Sequence, residues 1–295
     1  MQFGTTLLAA GSPIEHVADQ AWKHSPVIWG GHVLSAQIAV MMLAAILLTV
    51  VMAAAARRRA FRPVGKGYNL AEVGVVFVRD FIARPALHER TYAFLPHLLT
   101  IFYFILFCNL LGMVPLLTIS HAIPAMHAVP IGGTPTGNIW TTGALAGMTF
   151  LIIVACGVAE QVKHFVHHGR SKVIGWLIGF ALYLWSLVPS MPMAIKIPMA
   201  FILVPLEFMG VVAKCFALAI RLFANMSAGH ILLAVLLGFI TTAQHSGAIV
   251  YLVGPSSILG SVAINLLELL VAVIQAFIFT FLSALFIGMA VSPHH

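Results

Sequence analysis

The sequence predicts an all-α polytopic membrane protein with about five transmembrane helices and one amphipathic surface helix. Composition is the first ground. Of 295 residues, 61% are hydrophobic and only 8% charged, where a soluble domain carries about 25% charged residues. Mean hydropathy is +1.04. Pattern is the second ground. The apolar runs are long and continuous, whereas barrel strands would be short and alternating. Lipid offers no water to unpaired backbone groups, so runs of this kind cross as helices.

Residues 1–32 read as an external N-terminal segment, with helix-start chemistry at Ser12 and Pro13. The opening "MQFGTTLLAAGSP" lacks the basic start of a cleavable signal peptide, and none is expected. The first span is 33–56, ending at Arg57, Arg58 and Arg59. Eight of the fifteen Lys and Arg lie between Arg57 and Arg90. Positive charge stays cytoplasmic, which puts the N-terminus outside. The net charge of +7 is therefore a topology signal, and no nucleic-acid partner is expected. Residues 57–93 are cytoplasmic or interfacial. Leu70, Val73, Phe77 and Phe81 recur there at three and four, the spacing of an amphipathic helix on the membrane surface.

The second span is 94–119. The loop after it, "SHAIPAMHAVPIGGTPTGNIW", has no Lys or Arg and is read as external. The third span, 141–162, returns to "KHFVHHGRSK". Residues 173–188 are apolar but end at Pro189, about 16 residues against the roughly 20 of a full span. The stretch 173–195 is therefore re-entrant or interfacial. Charge parity agrees: 197–240 then runs outward, and the Lys/Arg-free loop 241–259 is external. The last span is 259–291, with a cytoplasmic C-terminus. No internal repeat or soluble domain interrupts 1–295, which read as one membrane domain.

Between Ile197 and Val291 the only charged side chains are Glu207, Lys214, Arg221 and Glu268. Each costs about 2.5–3.5 kcal/mol at mid-membrane, so such groups normally face a bundle interior or a water path. Glu207, Lys214 and Arg221 are seven apart and share a helix face, the outer two about 21 Å apart along the axis. Asn225 lies one turn beyond Arg221, while His230 is about 140° round from Asn225. The last helix carries Asn265, Glu268 and Gln275 on one face. A buried salt-bridge network is the structural reading of these groups. Their spread along the membrane depth favours a proton path instead. Glu207, His230 and Glu268 titrate in steps, with Asn225 and Gln275 between them. Arg221 cannot lose its proton, so it can only repel protons or hold a carboxylate ionised.

Other features are read as structural. Cys108, Cys156 and Cys215 lie in apolar segments and form no CxxC pair, so they are small core residues. His164, His167 and His168 form a solvated basic loop, since no Cys or acid completes a metal set. His16, His121 and His127 carry no role. HExxH, GxSxG and phosphate-cradling glycine loops are absent, which sets aside an intramembrane hydrolase. No cofactor or metal is expected. A self-contained ion-coupled secondary transporter is the alternative function. It would show paired halves with broken helices in corresponding places, and none is evident.

The stretch "LAIRLFANMSAGH" (218–230) followed by "ELLVAVIQAFIFTFLSALFIGMA" resembles subunit a of the rotary F-type ATP synthase. The likeness extends through "FVRDFIARP", "FLPHLLTIFYFILFCNLLGMVP", "PTGNIWTT" and "LVPLEFMGVVAKCFALAIRLFANM", covering roughly residues 70–290. The resemblance implies a non-catalytic, proton-translocating stator subunit. Its last two helices form a long tilted hairpin against a rotating c-ring, with subunit b and the other synthase subunits as further partners. Arg221 matches the essential arginine between two offset half-channels. Asn225, His230, Glu268 and Gln275 match the outer half-channel, and Glu207 and Lys214 the cytoplasmic one. The translocated ion is read as a proton, with sodium the alternative, because the ion-binding carboxylate belongs to the c subunit. His230 with Glu268 resembles the mitochondrial and alphaproteobacterial arrangement; many bacterial relatives carry the pair exchanged, which suggests that the two side chains meet. The expected location is the bacterial inner membrane, the mitochondrial inner membrane being the alternative.

Two departures stand out. The family's usual "PTADLNTT" reads "PTGNIWTT", with Asn138 for an acid and Trp140 for an amide, so no part in proton access is assigned to this loop. The usual Lys-Pro before the arginine reads Lys214-Cys215, so no proline kink is expected there.

Overall fold

The computed structural model describes residues 27–28, 31–32, 35–57, 66–114, 132–167, 179, 193–243 and 250–291. Five of its helices are long and apolar enough to cross a membrane. The readings of 1–26, of His121, His127 and His168, and of most of 173–195 lie outside the described residues.

Two residues each of β1 (Val27–Ile28) and β2 (Gly31–His32) pair antiparallel ahead of the helices. The first span is α1 (Ala36–Arg57). Ser35 caps it: the Ile38 amide donates to Ser35 Oγ at 3.4 Å and the Ala39 amide to Ser35 O at 3.1 Å. The helix closes at Arg57.

The region read as one amphipathic helix is segmented. α2 (Lys66–Phe77) runs into a π-helical stretch, Val78–Ala83, then α3 (Arg84–Leu87) and a 3-10 turn, His88–Arg90. Within the predicted apolar stripe, Val73 and Phe81 are each 64% exposed. Val78, Ile82 and Leu87 are buried instead. His88 sets the break. Its φ of +46° is uncommon for a residue with a Cβ. Thr91 Oγ1 donates to the His88 carbonyl at 2.6 Å, fixing the start of α4 (Thr91–Met113).

Several helix ends differ from the sequence reading. α4 stops at Met113 rather than 119, because Pro115 disfavours helical geometry in the residue before it. α5 (Ile139–His167) begins at a cap: the Trp140 amide donates to Asn138 Oδ1 at 3.0 Å. α7 (Val250–Val291) starts nine residues before the expected 259, so much of the expected loop 241–259 is helix. Pro255 falls in its second turn and removes a single ladder bond. Ser256 Oγ donates to the Leu252 and Val253 carbonyls at 2.9 and 3.0 Å. The Gly-Pro-Ser-Ser punctuation therefore does not end the helix. α6 (Met193–Ala243) runs unbroken through Lys214 and Cys215. At 51 and 42 residues, α6 and α7 are each more than twice the roughly 20 that a span requires.

The chain divides into two compact units: one of Met1–Gly74, Thr100–Thr141 and Arg221–Phe277, the other of Val75–Leu99, Thr142–Ile220 and Ile278–His295. In the first, Val40, Ala44, Ile105, Cys108, Leu222, Ala272 and Ala276 are buried. In the second, Val78, Ile82, Leu98, Leu218, Phe279 and Ile287 are buried. There Arg90 grips Glu160 through two bonds of 2.7 Å. Gly288 of α7 lies against the carbonyl of Ala86; a Cβ at 288 would overlap that oxygen and come within 3.2 Å of the carbonyl carbon. Backbone cannot yield as a side-chain tip can. Gly288→Ala is therefore expected to cost about 1–3 kcal/mol, the usual penalty of overpacking. Gly147→Ala, with nothing within 4 Å of the added carbon, is the neutral control. Thermal loss of helical circular dichroism in detergent separates the two.

Candidate functional site

The polar residues of α6 divide between two faces of the helix. Arg221 is exposed, as are Ala224 and Ala228, which follow it at three and seven. At 100° per residue all three point within about 60° of one another, and His230 lies about 180° from Arg221. Between these faces Asn225 is half-buried, while Leu222 and Met226 anchor the helix in its unit. Among the described residues Arg221 makes no ion pair. This is unlike Arg79 and Arg84, each 2.8 Å from Asp80, or Arg90 on Glu160.

His230 turns into the unit and pairs through Nε2 with the hydroxyl of Thr134. Thr134 stands at the head of the 3-10 turn Pro135–Gly137. The turn is pinned on both sides. Thr136 Oγ1 donates to Asn109 Oδ1 of α4 at 2.7 Å, and Ser227 Oγ of α6 donates to the Gly137 carbonyl at 3.5 Å. Gly112 of α4 leaves room for Thr134, since a Cβ at 112 would overlap its side chain.

Glu268 comes from α7 and is 9% exposed; Gln275, seven residues on along the same face, is 4% exposed. The Glu268 carboxylate packs against Gly229, next to His230 in the chain; a Cβ at 229 would sit 2.9 Å from its Cδ. The two predicted partners are thus brought to adjacent positions, but the imidazole bonds to Thr134, and no ion pair joins it to Glu268 among the described contacts. Glu268 Oε1, Gln275 Nε2 and Ser261 Oγ are buried without a protein partner. Polar atoms in that position are normally satisfied by ordered water. Asn265 leaves the predicted stripe: it is exposed, and its amide donates to the Ser261 carbonyl at 2.9 Å.

In the other unit, Lys214 is exposed, with Nζ 5.5 Å from the centre of the Phe286 ring. Glu207 lies on α6, and its side chain is outside the described residues. Cys108 and Cys215 are buried and Cys156 is half-buried, all as free thiols. No metal-binding group of His, Cys, Asp or Glu occurs among the described residues. Sequence reasoning missed Thr134, Asn109, Gly112 and Gly229. The missed signal was Gly112, a small residue opposite the turn.

Comparison with known proteins places these features in a family. The ATP synthase A chain family model matches residues 38–288. ATP synthase subunit a of Chloroherpeton thalassium is 40% identical over 227 residues, covering 76% of this chain and 55% of the relative. That of Myxococcus xanthus is 39% identical over 235 residues, covering 79% and 64%. ATP synthase subunit a 2 of Chlorobium luteolum is 34% identical over 289 residues, covering 98% and 70%. The first two matches show that the chain spans about half to two thirds of the length of such relatives. A match across most of the chain, together with these relatives, makes it a member of the ATP synthase A chain family.

Proposed function

We propose that this chain is the proton-translocating stator subunit in the membrane sector of ATP synthase, non-catalytic in itself. The observation that carries the reading is the division of α6 into two faces. A permanent charge stands on the exposed face, and titratable His230 lies on the opposite face, with Glu268 packed against the adjoining Gly229. Protons pass from outside along His230 and Glu268, with Asn225 and Gln275 lining the way, to a carboxylate on a c-ring. The neutralised carboxylate moves into lipid. After nearly a full rotation it releases its proton toward the cytoplasm near Glu207 and Lys214. Arg221 cannot carry a proton. It favours the ionised form of the passing carboxylate and so keeps the two half-channels apart. Ala224 and Ala228 beside it support the reading, because small residues let a neighbouring helix come close. A self-contained transporter would hold a counter-charge for Arg221 within its own chain, and no described residue supplies one.

The same reading makes 1–295 one membrane domain in a bacterial inner membrane, N-terminus outside and C-terminus cytoplasmic. Residues 57–93 are cytoplasmic or interfacial, and 173–195 are re-entrant or interfacial. Subunit b and the c-ring are the partners, and the ion is a proton, with sodium the alternative. His230 on α6 and Glu268 on α7 follow the mitochondrial and alphaproteobacterial arrangement.

The test is made on the assembled complex in inverted membrane vesicles. Arg221→Ala is expected to abolish proton-driven ATP synthesis while the subunit stays assembled, and Glu268→Gln to lower passive proton conductance. Normal coupled synthesis in the first variant, or unchanged conductance in the second, sinks the mechanism. Gly229→Ala is expected to assemble, because the atoms it displaces are the flexible end of Glu268, yet to slow conductance by moving that carboxylate. Immunoblotting of the complex alongside a pH-jump conductance assay reads both effects.

A further inference from the structure

We propose that Thr134 is a positioning residue for His230, its hydroxyl holding Nε2 in both protonation states of the ring. The proposal rests on the reading of His230 as part of the proton path and adds a residue to it.

The partner has the right chemistry. A hydroxyl carries one hydrogen and two lone pairs. It donates to a bare Nε2 and accepts from a protonated one by turning about its C–O bond. A carboxylate could only accept, and an apolar side chain could do neither. The ring can therefore gain and lose a proton without leaving its place.

The hydroxyl is also aimed rather than free. Thr134 precedes Pro135, which biases its backbone to the extended region, and it adopts φ −89° and ψ 116°. Gly133 before it sits at φ +80°, a conformation that favours glycine. The Gly137 amide donates to the Thr134 carbonyl at 2.9 Å and closes the turn. Thr136 on Asn109 and Ser227 on the Gly137 carbonyl tie that turn to α4 and to α6, the helix that bears His230. The bare edge of Gly112 then receives the Thr134 side chain. Packing alone would be met equally by valine, which has the same shape; the bond to His230 needs the oxygen.

Charge around the ring is sparse. From α7, Glu268 faces the Gly229 side of the helix. The turn Gly133–Asn138 and the adjoining Asn109–Met113 of α4 contain no ionisable side chain, α1 brings Gln37 to Gly133, and Arg221 points the other way. Thr134 is thus the neutral contact of the imidazole, and Glu268 the nearby group whose charge can change.

The experiment compares Thr134→Val, Thr134→Ser and His230→Ala in the assembled synthase, measuring passive proton conductance of inverted vesicles stripped of the catalytic sector across a pH series. Thr134→Val is expected to lower conductance about tenfold, the rate equivalent of one net hydrogen bond, and to displace the pH midpoint. Thr134→Ser, which keeps the hydroxyl, restores both. Added to His230→Ala, Thr134→Val causes no further loss, since the two act as one unit. An assembled Val variant with wild-type conductance and pH profile overturns the inference, and so does a further loss in the double variant. If Val blocks assembly, Thr134→Ala is read the same way, and failure of both to assemble makes Thr134 a folding residue and overturns the inference. Wild-type conductance in His230→Ala instead removes the proton-path reading itself, so the two failures are distinct.

Discussion

A guanidinium that remains charged within an apolar helix must have an anion or water beside it. Elsewhere this chain supplies the anion itself: Glu160 takes two bonds from Arg90, and Asp80 serves both Arg79 and Arg84. Arg221 is left without one among the described residues and stands on the exposed face of α6. Lodging an arginine at mid-membrane costs about 2.5–3.5 kcal/mol on insertion scales. On the proposed reading, a carboxylate of another chain offsets that cost each time it passes. His230 is then free to turn inward, and the outward face is free to be small.

The buried side depends on missing atoms. Glycine at 229 admits the Glu268 carboxylate against α6, and glycine at 112 admits Thr134 against α4. A methyl group at either position would intrude on a polar contact. The consequences differ because the neighbours differ. At 229 the displaced atoms are the end of a flexible side chain. At 112 they include Cβ of a β-branched residue in a pinned turn. The first position tunes geometry, and the second holds the turn in place.

Much of the fold was legible because apolar runs of span length leave few alternatives in lipid. The ends were less so. Pro115 stops α4 where hydropathy alone runs on, whereas Pro255, in the second turn of α7, removes a ladder bond and the helix continues past it. Asn138, noted in the sequence only as the loss of an acid, caps α5 through its side-chain oxygen, as an aspartate would. Arg221, His230 and Glu268 stood out as polar groups among apolar neighbours. Thr134 did not, because a threonine in a loop is ordinary, and only the register of three separate segments brings it to the imidazole. The pairing expected between His230 and Glu268 was half legible. The helices bring Glu268 against Gly229, the residue before His230, and the hydroxyl takes the bond.

Site-directed disulfide formation reports most directly what lies beside Arg221. In the assembled synthase, with the native cysteines replaced by alanine, Ala224→Cys and Ala228→Cys are each combined with single cysteines along the carboxylate-bearing helix of the proposed ring subunit. Met226→Cys, on the buried side, is the control. High-yield cross-links from 224 and 228 at the level of the ring carboxylate, with none from 226, are the expected result. An assembled complex in which 224 and 228 form no cross-link to the ring, or no more than 226 does, would contradict the assignment of Arg221's counter-charge to another chain.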